Sequence, residues 1–133
     1  MEGAEVHISV SGDPASQGSH AVMNGRIVQV NSAKHKRWRN AVRDAARAEL
    51  PADWEPIDGP CEVIVSFYMP RPKTVTRPAP SVSPDLDKLC RSVLDSLSDA
   101  GVYADDSRVT RLNARKIYAQ GIEPGVSITV KAL

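Results

Sequence analysis

The sequence predicts an α+β protein with one mixed β-sheet and two helices. Short segments of alternating or β-branched residues and two longer segments with helical periodicity follow one another in the order β-β-α-β-α-β-β. The 133 residues have the mass of one ordinary domain, 14.4 kDa, and contain no internal repeat. We therefore expect a single domain over residues 1–133, with both helices on one face of the sheet.

The first half of the chain carries three predicted strands and one helix. Residues 5–12 and 26–30 alternate polar and apolar side chains and flank a loop at residues 13–25 that is rich in Gly, Ser and Pro. Asn31 or Ser32 caps a helix that runs to Leu50, with Trp38, Ala41, Val42, Ala45 and Ala48 near one face, before Pro51 ends it. Residues 61–69 are dense in β-branched and aromatic residues and predict the strongest strand.

The second half begins with a loop and continues with the clearest helix of the chain. Residues 70–84 hold five of the ten prolines, and a loop of this length is functional or disordered. Helical spacing then relates six apolar residues: Leu86, Leu89, Cys90, Val93, Leu94 and Leu97. Ser83 is the predicted N-cap, Pro84 the first helical residue and Gly101 the C-terminal cap. Strands at residues 108–119 and 126–133 follow, joined by a turn at residues 121–125.

Composition excludes several classes of protein. Hydrophobic residues make up 41% and charged residues 25% of the chain, which fits a globular domain and neither a disordered chain nor a coiled coil. No run of 18 apolar residues predicts a membrane span, and the acidic residues 1–5 do not resemble a signal peptide. Cys61 and Cys90 fall in apolar segments, so we expect buried, reduced thiols and a cytoplasmic protein.

The net charge of +1 conceals an uneven distribution of charge. Residues 34–47 contain six basic residues and one acid, whereas residues 51–70 contain four acids and no base. Three further cations, Arg71, Lys73 and Arg77, occupy the proline-rich loop just before a cluster of aspartates. Basic clusters beside carboxylates indicate a surface that attracts a polyanion next to a site that holds cations, although solvated charges on ordinary surfaces remain an alternative.

The segment from Pro84 to Asp95 carries the most specific chemical pattern. Asp85 and Asp87 lie at the start of the predicted helix, and Asp105 and Asp106 lie in the turn that follows it. Carboxylate oxygens at this spacing suit Mg²⁺ or Mn²⁺ rather than zinc. Three structural interpretations compete: first-turn aspartates favoured by the helix dipole, ordinary turn chemistry at residues 105–107, and an i,i+4 ion pair between Asp87 and Arg91. His7, His20 and His35 have no evident partner for nucleophilic catalysis.

Matches spread over most of the chain resemble the RusA family of Holliday junction resolvases. The central match is Pro84-Asp85-Leu86-Asp87, then Val93-Leu94-Asp95, Gly101-Val102-Tyr103 and Asp105-Asp106-Ser107-Arg108-Val109. Residues 14–19 resemble the N-terminal loop of that family, Trp38-Arg39 its first helix, and residues 67–73 its central strand and loop. The resemblance implies a RusA-like fold and a metal-dependent, structure-specific endonuclease of bacteria or their phages.

The resemblance also assigns roles to individual residues. The metal-binding carboxylates of the family fall on Asp85, Asp87 and Asp106, which are also the expected catalytic aspartates, and its conserved lysine falls on Arg91. Lys88 stands where the family usually has asparagine, and His20 lies where relatives often carry Lys or Arg. Arg91 keeps the positive charge but, unlike lysine, cannot lose a proton. Mg²⁺, with Mn²⁺ as a substitute, is the implied cofactor.

The implied substrate is branched DNA, in particular the four-way junction. The cations expected to contact phosphates are Lys88, Arg71, Lys73, Arg77, Lys36 and Arg37. Paired symmetric nicks need two sites, so the resemblance implies a homodimer, for which the apolar strand at residues 61–69 is a candidate surface. No membrane partner is expected.

Three alternative functions remain open at the level of sequence. The same site would serve a flap or fork nuclease, or a branched-DNA nuclease in phage packaging. The substitutions at Lys88 and Arg91 would also fit a junction-binding protein with weak catalysis. The third alternative is a fold without a role in DNA metabolism, in which the aspartates cap helices and turns. It does not explain the matches to the RusA family that are spread along the chain.

Overall fold

The computed structural model describes residues 3–16, 20–29 and 32–133. The elements in chain order are β1 Glu5–Ser11, β2 His20–Met23, β3 Arg26–Gln29, α1 Ser32–Glu49, β4 Cys61–Met69, α2 Leu86–Asp99, a 3₁₀ helix Asp106–Arg108, β5 Val109–Tyr118 and β6 Gly125–Ala132. The α+β class and the order of the predicted elements are confirmed. Strand β2 is an addition, since it lies within residues 13–25, where the sequence predicts only a loop.

The main sheet has the strand order β1-β6-β4-β5 and is mixed, as predicted. Strand β6 pairs antiparallel with both β1 and β4, whereas β5 runs parallel to β4. Helix α2 is the connection between the two parallel strands, as parallel pairing requires a crossover. Strands β2 and β3 form a separate hairpin whose two turn residues, Asn24 and Gly25, both have positive φ. An Asn-Gly pair favours this kind of turn, a signal that the loop prediction overlooked.

One face of the sheet forms the core. Val63, Val65 and Phe67 of β4 are fully buried and alternate with residues that are mostly only half-buried. Val6 and Ile8 of β1 lie in the same cross-strand rows as Val130 and Ile128 of β6, and these rows continue to Val63 and Val65. Because alternate residues of a strand face opposite sides of a sheet, this pattern places the apolar interior on one side only.

Both helices cover that face, with α1 beside β1, α2 beside β5 and the two helices in contact. Helix α1 buries Trp38, Val42 and Ala46 at intervals of four residues. Ala41 and Ala48, predicted near the buried face, are exposed, because the row that contacts the sheet follows i,i+4 spacing from Trp38. Within the described part of the chain, no helix is both long and apolar enough to cross a membrane.

Helix α2 buries the predicted apolar stripe, including Leu89, Val93 and Leu97. Its C-terminal end is a Schellman motif: the amide of Val102 donates to the carbonyl of Leu97 (3.0 Å), and Gly101, with φ +80°, donates to Ser98 (3.0 Å). The predicted cap at Gly101 is therefore confirmed, and these hydrogen bonds lie at the end of α2 distant from Asp85 and Asp87.

The predicted start of α2 is two residues too early. The helix begins at Leu86 with Asp85 as its N-cap, rather than at Pro84 with Ser83 as the cap. The first helical hydrogen bond runs from the Leu89 amide to the Asp85 carbonyl (3.0 Å). The carbonyl of Pro84 instead accepts a hydrogen bond from Lys116 on β5 (2.9 Å), which keeps this peptide outside the helix.

Candidate active site

Asp85 and Asp87 present exposed carboxylates at the N-terminal end of α2. Asp85 occupies the N-cap in an extended conformation, yet its side chain makes no capping hydrogen bond. Aspartate at this position normally accepts a hydrogen bond from an amide of the first helical turn. The side chain is 57% exposed, and its nearest cation is Lys88, with Nζ 3.7 Å from Oδ2. The interpretation of Asp85 as an ordinary helix cap therefore does not describe this structure.

Asp105 and Asp106 lie at the 3₁₀ helix that contacts α2. Asp105 is the N-cap of this short helix, and its Oδ2 accepts a hydrogen bond from the Ser107 amide (2.9 Å). The hydrogen bonds from Ser107 hold the pKa of Asp105 below its usual value. Turn chemistry thus accounts for Asp105, whereas Asp106 is the acidic residue in the first turn of the 3₁₀ helix and is exposed.

The chemistry of these carboxylates fits a hard divalent cation. Among the described residues, no salt bridge involves Asp87 or Asp106, so their oxygens are available as ligands. The described side chains nevertheless form no group of three or more acidic, histidine or cysteine residues close enough to hold one metal ion. The 3₁₀ helix lies beside the start of β4, where Arg108 donates to Asp58 (3.0 Å), whereas the start of α2 lies beside the other end of β4 and β5, where Lys116 donates to Pro84. Asp106 is therefore distant from Asp85 and Asp87.

Arg91 is exposed on α2, one turn after Asp87. The predicted alternative of an i,i+4 ion pair between these residues has no counterpart among the salt bridges of the described residues. Lys88 is equally exposed and contacts only Asp85 within the same set. Two cations therefore flank the carboxylates at the start of α2, and the guanidinium of Arg91 is free to bind an anion.

The proline-rich loop is anchored to the end of β5. The Arg77 guanidinium donates to the Tyr118 hydroxyl (2.8 Å), and the Arg71 guanidinium lies over the Tyr118 ring, 5.4 Å from its centroid. The Ala119 amide donates to the Met69 carbonyl at the start of the loop (2.9 Å). Both arginines have structural contacts, and Lys73 is exposed.

Helix α1 uses three of its six lysine and arginine residues in ion pairs. Lys34 contacts Asp13 (2.9 Å), Arg39 contacts Asp99 (2.8 Å) and Arg43 contacts Asp44 (2.9 Å). Lys36 and Arg37 are exposed, and the salt bridges of the described residues include neither of them. These two residues therefore remain available for phosphate, whereas Arg47, which also forms no ion pair in this set, donates to the Asp99 carbonyl (3.1 Å).

A cavity of about 610 Å³ adjoins Asp85 and Lys88. Three segments form its walls: residues 13–16, the proline-rich loop and the start of α2, with Tyr118 also in the lining. Its wall includes several prolines together with Lys34 and Arg77. The concave surface next to the exposed carboxylates is the kind of place at which a ligand is held against reactive groups. Gln17–Ser19, part of the predicted N-terminal loop, lie outside the described residues.

Among the side chains that the structure describes, histidine and cysteine provide no alternative nucleophile. Contrary to the sequence prediction, two histidines have partners: His7 contacts Thr129 (3.0 Å) and Glu5 (3.1 Å), and His35 contacts Ser92 (3.0 Å). None of these partners is a predicted site residue. The side chain of His20 lies outside the described set. Burial, together with the charge of Asp87, raises the pKa of Cys90 to about 11, so this thiol stays protonated at neutral pH.

Sequence reasoning missed two residues that shape the site, Lys116 and Tyr118. Lys116 donates to the carbonyls of Val82 (2.8 Å) and Pro84 (2.9 Å), and Tyr118 receives the two loop arginines. The signal for Lys116 is its position between Ala114 and Tyr118 in one alternating row of β5, where an apolar residue is expected. Their partners are distant in sequence, so periodicity alone does not reveal the contacts.

Comparison with known proteins gives one family match. The family model described as endodeoxyribonuclease RusA matches residues 11–131. This range includes every predicted site residue and all elements from β2 through β5. A search of curated proteins finds no match to the chain.

Proposed function

Because the chain belongs to the RusA family of endodeoxyribonucleases and is therefore an enzyme that hydrolyses phosphodiester bonds in DNA, we propose that it resolves four-way junctions with Mg²⁺ as its cofactor. The family implies a junction-resolving nuclease that uses a divalent metal. The paired symmetric nicks, the identity of the metal and the roles of individual residues are the finer parts of this proposal.

The observation that carries the proposal is that the carboxylates of the three candidate aspartates have few structural partners among the described residues. Asp85 makes no side-chain capping bond, and Asp87 and Asp106 form no salt bridges among the described residues. Carboxylates that contribute neither caps nor ion pairs are available to hold a cation. We assign Asp85, Asp87 and Asp106 as the metal ligands. Asp106 lies beside the start of β4 and β5 and Asp85 beside their other end, so bringing all three to one ion requires a rearrangement larger than side-chain rotation.

When bound, Mg²⁺ supplies activation of water and stabilisation of negative charge on the phosphate oxygens. Arg91 binds the phosphate that is cut and stabilises its charge as the bond breaks. Lys88 lies 3.7 Å from Asp85 in the free protein and contributes a second cation beside that phosphate. Arginine stays protonated at all relevant pH values, so Arg91 acts through its charge and does not donate or accept a proton during the reaction.

Phosphates on either side of the cut contact cations of two elements, all of which are exposed except the half-buried Arg77. Arg71, Lys73 and Arg77 lie in the anchored loop, and Lys36 and Arg37 lie on α1. Such contacts position DNA and give an affinity that falls with salt, without selecting a sequence. We further propose a single domain that works as a homodimer in the cytoplasm, since a two-fold pair presents two sites to a two-fold substrate.

A junction-binding protein with weak catalysis is the second candidate. Two observations favour it: the carboxylates do not converge within the described residues, and Lys88 contacts Asp85. In this alternative the basic surfaces bind the junction, and the lysine reduces the affinity of the acidic site for metal.

The test is nicking of a synthetic four-way junction, with linear duplex and flap DNA as further substrates. Wild type, Asp87→Asn and Asp53→Asn are compared in Mg²⁺, in Mn²⁺ and in EDTA. Asp53 is an exposed aspartate in the turn after α1 and serves as the matched control. We expect paired symmetric cuts by wild type and by the Asp53 variant in either metal. Asp87→Asn should lose at least about a hundredfold in rate because it removes a ligand from the metal, and it should keep its affinity for the junction.

Each of the other outcomes would support a different function for this protein. Cutting of flaps without cutting of junctions would identify the flap or fork nuclease, with the same site. Binding of the junction without cutting in either metal would support the junction-binding alternative and contradict catalysis by this site.

A further inference from the structure

Lys116 connects β5 to the segment that leads into Asp85. Its ammonium group donates to two backbone carbonyls, those of Val82 (2.8 Å) and Pro84 (2.9 Å). The carbonyl of Pro84 belongs to the peptide bond that joins Pro84 to Asp85. One side chain therefore fixes the backbone on the N-terminal side of the aspartate, while the Leu89 amide binds the carbonyl of Asp85 itself (3.0 Å).

The position of Lys116 in the sheet explains why its side chain reaches these two carbonyls. Lys116 is paired in register with Phe67 of β4, which is fully buried, so its side chain starts on the face of the sheet that carries the core. Among the described residues no carboxylate forms a salt bridge with Lys116, and its donors are directed at carbonyl oxygens instead. A cation placed in an apolar row and satisfied by backbone carbonyls holds a loop in place.

We propose that Lys116 is a positioning residue, which fixes the backbone of Asp85 so that its carboxylate faces the metal. This inference rests on the proposed metal site. The carboxylate of Asp85 has no capping bond of its own, so the direction of its side chain depends on the backbone that carries it. Residues that orient a metal ligand without touching the metal commonly change metal affinity by a factor of about 10–100 when they are replaced.

Electrostatics alone predicts the opposite sign. A lysine near an acidic site repels a divalent cation, so removal of its charge should strengthen metal binding. If Lys116 positions Asp85, its removal should weaken metal binding in spite of the lost repulsion. The direction of the change therefore distinguishes positioning from a simple effect of charge.

The experiment is calorimetric titration of the DNA-free protein with Mn²⁺. Wild type is compared with Lys116→Met, Lys116→Gln, Lys116→Arg and Lys131→Met. The last is the matched control: Lys131 lies on the same sheet, opposite Glu62 in the register of β4, and contacts Glu5 (3.6 Å). The five-residue separation of Glu62 from Phe67 along β4 places Lys131 about 16 Å from the level of Lys116.

We expect Lys116→Met to weaken Mn²⁺ binding by about tenfold or more, and Lys116→Arg, which keeps the donors and the charge, to restore most of it. Lys116→Gln keeps a donor without charge and should give an intermediate affinity. Lys131→Met should bind Mn²⁺ as wild type does. Thermal unfolding shows whether each variant is folded. If Lys116→Met is not, the Mn²⁺ affinities of Lys116→Gln and Lys116→Arg are compared with that of wild type instead.

Junction binding in EDTA at several salt concentrations separates positioning from direct contact with DNA. A positioning lysine leaves the affinity and its salt dependence unchanged. A phosphate contact would reduce the salt slope by about one when Lys116 is replaced. A reduced slope together with unchanged Mn²⁺ affinity would overturn the proposal.

Failure of this inference and failure of the metal site are distinguishable. If wild type binds Mn²⁺ and folded Lys116→Met binds it equally or more tightly, the role of Lys116 is wrong and the metal site stands. If wild type binds no Mn²⁺, the metal site and the role of Lys116 both fall.

Discussion

Lys88 and Asp85 form an exposed ion pair at the start of α2, with 3.7 Å between Nζ and Oδ2. Both side chains are about half exposed, so the attraction between them is weak. In the proposed metal site, a divalent cation bound to Asp85 would have to displace this ammonium group, which would still lie close to the bound cation. We therefore expect Lys88 to lower the affinity of the proposed site for metal.

Replacing Lys88 with Asn should strengthen Mn²⁺ binding by up to about fivefold, because exposed ion pairs of this kind contribute at most about 1 kcal/mol. Calorimetry on the DNA-free protein measures the change. Lys88→Arg keeps the charge and is the control, for which we expect an affinity close to that of wild type. An unchanged or weaker affinity in Lys88→Asn would contradict the idea that this cation competes with the metal.

At the scale of elements, the contact between α1 and α2 controls how firmly the helix of the aspartates is held. Arg39 contacts Asp99 (2.8 Å) and is 4.0 Å from Asp95, and Ser96 donates to the Arg39 carbonyl (3.1 Å). His35 completes this contact through its hydrogen bond with Ser92. Burial and the neighbouring charge of Arg39 lower the pKa of His35, while Asp95 opposes them.

This depressed pKa predicts a loss of stability in mild acid. The unfolded chain binds a proton at His35 near pH 6.5, whereas the folded chain binds it only at lower pH. The free energy of unfolding contributed by neutral His35 is therefore complete above pH 6.5 and falls as the pH drops through the folded pKa. Urea midpoints at pH 7.5 and pH 5.5 should differ more for wild type than for His35→Gln, which cannot titrate.

His7→Gln is the control for this comparison, since His7 is a histidine with a side chain that is 67% exposed. Its midpoints should shift with pH as those of wild type do. Equal shifts in wild type and His35→Gln would show that the contact between the helices does not depend on the charge of His35.

The elements differ in how far the sequence predicts them. Helix α2 was predictable because Leu89, Val93 and Leu97 repeat at helical spacing and Gly101 ends the pattern. Its first residue was not, because a hydrogen bond from Lys116 on a distant strand decides where the helix begins. The candidate aspartates were identified from their motif. They do not converge within the described residues because Asp106 and Asp85 lie beside opposite ends of the parallel strands β4 and β5, and spacing along the sequence does not reveal that separation.

At the scale of the molecule, Gly125 is a position where the sheet tolerates no side chain. A Cβ atom added to Gly125 would collide with the carbonyl oxygen of Val10 and lie 3.1 Å from the Cα of Ser11, both on β1. Gly125 is also paired with Tyr68 of β4, so a shift to relieve the collision would disturb both neighbours of β6.

Gly125→Ala should therefore lower the free energy of unfolding by about 2 kcal/mol or more, as forced overpacking in a sheet does. Urea denaturation monitored by circular dichroism measures this. The control is Gly59→Ala, because an added Cβ at Gly59 meets no atom within 4 Å. If the two substitutions lowered the free energy of unfolding equally, the paired strands β1 and β6 would have to move apart at little cost to make room for the added Cβ.

The place of β6 in the strand order has a consequence for synthesis on the ribosome. In the described part of the chain, β1 pairs only with β6, which lies between β1 and β4 and is the last strand in sequence. During translation β1 emerges first and waits for more than 100 residues before residues 125–132 reach it. At the usual rate of about 5–20 residues per second, the edge of β1 that pairs with β6 stays open for several seconds. The nascent chain thus presents an unpaired strand to chaperones until β6 has been synthesised.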